Sequence, residues 1–286
     1  MGTSLMNLPF SKLSGTGNDF IIIDNRAGIV PAEQMPRFVS RVCRRAVSVG
    51  ADGVIFIQDH PEYDFAWRYF NADGGEAEMC GNGSRCVGRY AFERGIAGRD
   101  MKFLTQAGVI EAHVTGAETV KVRLTPAKGF RKFSIKLPSG LAVSGDFLNT
   151  GVPHAVIRVP DIEKIDVKGL GREVRFHKEF SPAGANANFV QIAGKNGLVI
   201  RTFERGVEDE TLACGTGCVA AAVAMAQNGL VKPPVTLTVR SGERLTVDLS
   251  EKDPLGGAPW LEGPVHWIYD GELKPEAVGE LANASL

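Results

Sequence analysis

The chain repeats itself once, and that repeat limits what it can fold into. Cys80-Gly81-Asn82-Gly83 recurs as Cys214-Gly215-Thr216-Gly217, displaced by 134 positions. The same displacement of 134 carries Thr16-Gly17 onto Thr150-Gly151, Gly95 onto Gly229 and Gly108 onto Gly242. A displacement of 133 carries Arg68-Tyr69-Phe70-Asn71 onto Arg201-Thr202-Phe203-Glu204. Glycine pairs are common in a chain with 34 glycines, but a shared offset is not. Two homologous halves follow, each one supersecondary unit.

Both halves read alike. A Gly-rich turn precedes an apolar, β-branched run: Gly15-Thr16-Gly17-Asn18-Asp19 before residues 20–23, and Thr150-Gly151-Val152-Pro153-His154 before residues 155–159. Further strands are predicted at 53–57, 65–70, 198–203, 235–239 and 244–249. After each Cys-Gly-x-Gly turn comes a helix, over 84–94 and 218–228, and each ends at a glycine, Gly95 or Gly229, placed as a C-cap. The fold class expected is α+β: two pseudo-symmetric domains, each a curled mixed or antiparallel sheet around a central helix. The predicted domains are 1–134, carrying the Cys80 turn and helix, and 135–286, carrying those of Cys214. The boundary falls in the turn-rich stretch 130–140.

In both halves the cysteine sits just before a helix, where unpaired N–H groups and a partial positive charge lower a thiol's pKa. The glycines let backbone approach a ligand closely and leave N–H donors uncovered. Each half thus offers a tuned thiol beside an anion-binding turn. Two such thiols suit the inversion of a carbon bearing hydrogen. One base removes the proton, and a different acid returns one on the opposite face. A carboxylate held between two helix N-termini would carry the charge that develops. Phosphate binding is the other use of a Gly-rich turn before a helix. However, neither a Gly-Lys-Ser/Thr P-loop nor a dinucleotide fingerprint in a βαβ unit is present. Cys43, Cys86 and Cys218 read as small core residues.

The residues around these turns are specific. They are Gly15-Thr16-Gly17-Asn18-Asp19-Phe20; Asn71-Ala72-Asp73-Gly74 through Glu78-Met79-Cys80-Gly81-Asn82-Gly83-Ser84-Arg85-Cys86; Pro153-His154; and Glu204-Arg205-Gly206 through Thr211-Leu212-Ala213-Cys214-Gly215-Thr216-Gly217. On these the chain resembles the diaminopimelate epimerase family over essentially its whole length. The resemblance implies interconversion of LL-2,6-diaminoheptanedioate and its meso form in lysine synthesis, without pyridoxal phosphate, any other cofactor or a metal. It implies Cys80 as proton donor and Cys214 as acceptor in the LL-to-meso direction. His154 and Glu204 would steer the cysteines' protonation, His154 by sharing a proton near neutral pH and Glu204 by pairing with the substrate ammonium. Arg205 would clamp the distal carboxylate, for which a planar guanidinium is suited. Asn18, Asn71 and Asn186 would contact the substrate's polar ends, with Asn188 as a neighbour in similar sequence. Gly81, Asn82, Gly215 and Thr216 would surround the reacting carboxylate.

Two residues depart from the family pattern. Val152 stands before Pro153-His154 where many members have asparagine, and Gly53 stands where some have glutamine. Both departures touch the distal end of the substrate. His60, His113, His177 and His266 have no motif around them.

The alternatives are a cysteine-pair racemase of the proline or hydroxyproline type and a non-catalytic amino-acid-binding protein. Arg205 with its asparagine neighbours disfavours the first, because proline has no distal group to hold. A net charge of −1 gives no support to a nucleic-acid or anionic-membrane partner. No apolar run is long enough to span a membrane. Residues 1–10 lack the basic start and apolar stretch of a signal peptide. Five cysteines, an odd number, fit a reducing cytoplasm rather than a disulfide scaffold. A homodimer binding a small amino acid is what the resemblance implies for assembly and partners.

Overall fold

The computed structural model describes residues 7–250 and 252–278. The expectation about the N-terminal ten residues lies, for residues 1–6, outside the described residues. The chain forms two compact units. The first runs through Val122 and resumes from Val265; the second is Arg123–Pro264.

In the first unit the strands are β1 (Leu8–Gly15), β2 (Asn18–Asp24), β3 (Gly53–Gln58), β4 (Phe65–Asn71), β5 (Glu76–Ala77), β6 (Asp100–Thr105), β7 (Gly108–Val114) and β8, which begins at Thr119. β1 and β2 are antiparallel, β2 and β3 parallel, and β3 and β4 antiparallel. β4 then pairs parallel with β6, which leads antiparallel into β7 and β8. The parallel β2–β3 step needs a crossover, which carries helix α1 (Met35–Val42). Its buried Met35, Phe38, Val39 and Val42 pack with Ile21, Ile23, Val54, Phe56 and Phe70 in one apolar cluster. Helix α2 (Gly81–Glu93) lies against β1, β2 and β7.

The second unit repeats this order. Its strands are β9 (Lys128–Lys136), β10 (Ala142–Asn149), β11 (Pro153–Arg158), β12 (Asn186–Ile192), β13 (Gly197–Glu204), β14 (Asp209–Thr211), β15 (Val235–Thr238), β16 (Arg244–Asp248) and β17 (Trp260–Pro264). β10–β11 is antiparallel, β11–β12 parallel, β12–β13 antiparallel, β13–β15 parallel and β15–β16 antiparallel, the same sequence of senses as in the first unit. Helix α3 (Val167–Arg175) fills the β11–β12 crossover, and its N-cap Asp166 accepts from the Gly169 N–H at 2.9 Å. Helix α4 (Gly215–Gln227) is apolar nearly all round, and it is buried against β10 to β13, β15 and β16.

The two central helices each span 13 residues, and each is capped at its N-terminus by a cysteine, Cys80 or Cys214. Gly95 and Gly229 take the left-handed conformation expected of C-caps, at φ 65° and 69°. The helices start earlier than predicted, because the glycine turns themselves form the first helical turn.

The predicted boundary is corrected. Residues 128–136 are a strand, not a turn-rich linker, and β9 pairs along its length with β10. The cut therefore falls at Val122/Arg123 rather than at 134/135. The last strand, β18 (His266–Leu273), pairs antiparallel with β1, from Leu8 against Leu273 to Ser14 against His266. Hence residues from Val265 belong to the first unit rather than to a continuous 135–286 domain. β18 does for β1 what β9 does for β10. Among the described residues no helix is long and apolar enough to cross a membrane.

Candidate active site

In the first unit Asn18 opens β2, Asn71 closes β4 and Cys80 caps α2. The Gly83 N–H donates to Cys80 Sγ at 3.4 Å, and the thiol donates to Asn18 Oδ1 at 3.6 Å. Asn82 is buried, and its Nδ2 reaches Asn18 Oδ1 at 3.4 Å. Cys80, Asn18 and Asn82 therefore form one constellation around the first turn of α2, with Gly81 in that turn. Asn71 is exposed, and its Oδ1 accepts from the Tyr69 hydroxyl at 2.7 Å.

The Gly53 departure has a steric cause. A Cβ at this position would stand 2.4 Å from the Phe70 carbonyl oxygen and 2.7 Å from the Tyr69 ring. In this chain a side chain at residue 53 would require the Phe70 backbone or the Tyr69 ring to shift.

In the second unit His154 lies near the start of β11, Asn186 opens β12, Glu204 closes β13 with Arg205 next in the chain, and Cys214 caps α4. Asn186 and Asn188 belong to a strand, extended by pairing with β11. Asn186 Oδ1 accepts from the Arg205 backbone N–H at 2.6 Å, and its Nδ2 donates to the Pro153 carbonyl at 3.3 Å. Asn186 thus pins the backbone of Arg205. The Arg205 guanidinium reaches the Ala183 carbonyl at 3.3 Å. Cys214 Sγ is 3.6 Å from Thr216 Oγ1, and the Thr150 hydroxyl donates to the Thr216 carbonyl at 3.0 Å.

The electrostatics of Cys214 differ from the expectation. Burial pushes its thiol well above the usual cysteine range, and the Glu204 carboxylate pushes it further. The Thr216 hydroxyl and the Gly217 amide pull the other way without prevailing. At this helix N-terminus desolvation is the larger effect and keeps Cys214 a thiol. Burial also raises the thiols of Cys43, to about 12, and of Cys86, in keeping with core roles.

His154 requires a second correction. It is fully buried, and burial lowers its pKa to about 3, with the Arg205 charge adding to the effect and the Asn188 hydrogen bond opposing it. It therefore stays neutral at physiological pH and does not share a proton there. Asn188 is the residue whose part the sequence left undefined. Its Nδ2 donates to His154 Nδ1 at 3.1 Å and to the carbonyls of Ala155 and Asn186, while its Oδ1 accepts from the Thr202 hydroxyl. With Nδ1 accepting, the ring proton sits on Nε2, which has no hydrogen-bond partner among the described residues. Asn188 also packs beneath α4, since a Cβ on Gly217 would stand 2.4 Å from Asn188 Oδ1. Two-residue periodicity along a strand would have placed Asn188 on the same face as Asn186.

An expected result follows from this burial. The folded chain does not protonate His154 until about pH 3, whereas the unfolded chain does so near 6.5. Between those values the unfolded state binds more protons, so stability falls as pH is lowered. Imidazole ¹⁵N NMR should report the Nε2–H tautomer unchanged from pH 5 to pH 8. His154→Gln should flatten the acid limb of a plot of Tm against pH. An imidazolium signal from His154 at pH 6 would contradict this.

The chain matches the family model described as diaminopimelate epimerase over residues 10–129 and 147–261. It is 47% identical to the diaminopimelate epimerase of Aquifex aeolicus over 281 residues, covering 95% of this chain and 99% of that one. It is 45% identical to that of a Hydrogenobaculum species, covering 93% and 98%. Among solved structures, a Bacillus anthracis phenazine biosynthesis protein of the PhzF family shares the fold at a TM-score of 0.72 and 18% identity, over 93% of this chain and 99% of that one. A probable proline racemase from Agrobacterium radiobacter does so at 0.68 and 18%, over 95% and 96%. With the repeated fold, the capped helices and these matches together, the chain is an epimerase, a member of the diaminopimelate epimerase family.

Proposed function

We propose that this chain interconverts LL-2,6-diaminoheptanedioate and its meso form by proton transfer at one α-carbon, with Cys80 and Cys214 as the two bases, one for each face. The observation that carries this is the pair of equal-length helices in matching topological positions, each capped by one of these cysteines.

In the LL-to-meso direction Cys214 first gives up its proton to bulk water as the substrate ammonium arrives, and the resulting thiolate takes the α-proton. The C–H electron pair moves into the carboxylate, and the Cys80 S–H delivers a proton to the other face. Backbone donors of Gly81, Asn82, Gly215 and Thr216 hold that carboxylate as its charge grows. Glu204 links binding to chemistry. Its negative charge helps keep Cys214 protonated in the empty site. A substrate ammonium paired with Glu204 cancels that charge and lets Cys214 act as base. Neutral His154 contributes an Nε2–H donor rather than a titrating base. Arg205, with Asn71 and Asn186, holds the distal amino-acid group. Residence in a reducing cytoplasm and a homodimeric state belong to the same proposal, resting on the need for free thiols and on the family resemblance.

A substrate panel tests it. The protein should invert LL- and meso-diaminopimelate and leave L-proline and trans-4-hydroxy-L-proline unchanged. Comparable turnover of the imino acids would replace this substrate assignment. Tight diaminopimelate binding with no α-proton exchange would make the chain a binding protein.

A further inference from the structure

The amides beside Cys80 belong to a hydrogen-bonded chain whose two ends are charged groups with only one hydrogen-bonding sense. At one end Asp52 Oδ2 accepts from Asn18 Nδ2 at 2.8 Å, and Arg45 donates to the other carboxylate oxygen at 3.0 Å. A carboxylate only accepts, so the Asn18 amino group must face Asp52 and its oxygen must face α2. At the other end lies Arg85, 0% exposed, which donates to Asn82 Oδ1 at 3.0 Å and to Thr16 Oγ1 at 3.1 Å. Thr16 in turn donates to the Gly15 carbonyl at 2.6 Å. A guanidinium only donates, so the Asn82 oxygen must face Arg85 and its amino group must face Asn18. Gly15 leaves the room for this, because a Cβ there would stand 3.1 Å from the Asn82 carbonyl and 3.4 Å from Arg85 Nη2.

Among the described residues the second half has no such chain with a charged group at each end. Displaced by 134, Val152 stands for Asn18 and Val219 for Arg85; in the strand register, where Asn186 matches Gly53, Ala185 stands for Asp52. Thr216 stands for Asn82, and its hydroxyl can either donate or accept. The two thiols are therefore set in different hydrogen-bonding fields, although their helices match.

We propose that Asp52 and Arg85 are positioning residues: they fix the direction of the Asn18 and Asn82 amides so that Cys80 always meets the Asn18 oxygen, an acceptor for its S–H. This deepens the two-thiol proposal and rests on Cys80 being a reacting thiol. It accounts for a division of labour that near-identical motifs leave open, with Cys80 as the proton donor of the pair. The charged groups around this assembly are Arg85 on α2, Asp52 and Arg45 behind Asn18, and Asp19 and Lys12 behind those.

Two measurements test it. Neutron diffraction from the wild-type protein exchanged into D₂O should place deuterium on the Asn18 atom facing Asp52 and on the Asn82 atom facing Asn18. Deuterium on the Asn18 atom facing Cys80 overturns the proposal. The second measurement follows iodoacetamide alkylation of Cys80 against pH by peptide mass spectrometry. Asp52→Asn frees the Asn18 amide to turn an N–H toward sulfur, so the alkylation midpoint of Cys80 should fall by about half a pH unit or more. Asp52→Glu, which keeps the acceptor, should restore it. Asp19→Asn removes a carboxylate from the same cluster without touching the Asn18–Asp52 bond, so it controls for charge alone and should shift the midpoint less. Equal shifts in Asp52→Asn and Asp19→Asn, or no shift in Asp52→Asn, overturn the proposal. General loosening would speed alkylation at every pH and leave the midpoint in place. Neither measurement depends on turnover, so failure of the catalytic assignment shows separately, as activity surviving in Cys80→Ala.

Discussion

Replacing either Cys80 or Cys214 with alanine is expected to reduce epimerisation by more than ~10³-fold while the protein stays folded, because general acid–base groups contribute roughly 10²–10⁴-fold each and no other thiol can take either face. Cys43 lies in the apolar cluster around α1, and Cys86 and Cys218 are buried within α2 and α4 rather than at their N-termini, so none is placed as a substitute base. The structural cost is small. Cys80 is a partly exposed N-cap whose loss gives up two long hydrogen bonds, from the Gly83 N–H and to Asn18 Oδ1, a change of about 1 kcal/mol. Cys214 is 6% exposed, and its replacement removes a single sulfur atom beside the α4 N-terminus. Turnover measured with LL-substrate, alongside a thermal melt by circular dichroism, separates the two effects. A variant that keeps a tenth of wild-type activity would end the two-thiol mechanism.

The second large effect concerns Arg205. Arg205→Met should raise KM for diaminopimelate by about 10²-fold, since a charge-assisted bond to a carboxylate contributes roughly 1.5–3 kcal/mol. The melting temperature should hardly move, because among the described residues the side chain makes only a 3.3 Å hydrogen bond, to the Ala183 carbonyl. The backbone at this position is held separately, through Asn186. Arg205→Lys should recover only part of the loss, because an ammonium cannot make the two parallel bonds of a guanidinium. Steady-state kinetics with fluorescence-monitored melting check this. An unchanged KM would remove Arg205 from the substrate site and with it the argument against imino acids.

Much of the architecture was legible because duplication left a numerical trace. The 134-residue offset identified two units of one kind, and Gly95 and Gly229 marked where the central helices stop. What escaped was set by long-range pairing. β9 reads as turn-rich because Gly129 stands near its start and Pro138 and Gly140 follow it, yet its alternating Phe133 and Ile135 face the core beside β10. The return of β18 to β1 joins residues more than 250 apart, and no local pattern announces it. The site shows the same division. Residue types and spacing pointed to Cys80, Cys214, Glu204 and Arg205, but burial is a property of the fold. It made His154 a neutral donor and Cys214 a resting thiol, reversing in each case what a solvated histidine or a bare helix N-terminus would do. Arg85, a charge inside a helix core, and Asp52, one residue before Gly53, gain meaning only when the hydrogen bonds of Asn18 and Asn82 are followed to both ends.

The account stands on two different thiols serving the two faces of one carbon, and the origin of the incoming proton tests that most directly. In D₂O, LL-diaminopimelate followed by NMR and mass spectrometry during the first few per cent of conversion should give meso product carrying one α-deuterium from its first appearance. The remaining LL-substrate should still carry its original hydrogen. Product that keeps the substrate's own α-hydrogen, or LL-substrate that gains deuterium as fast as product forms, would mean that a single base works on both faces.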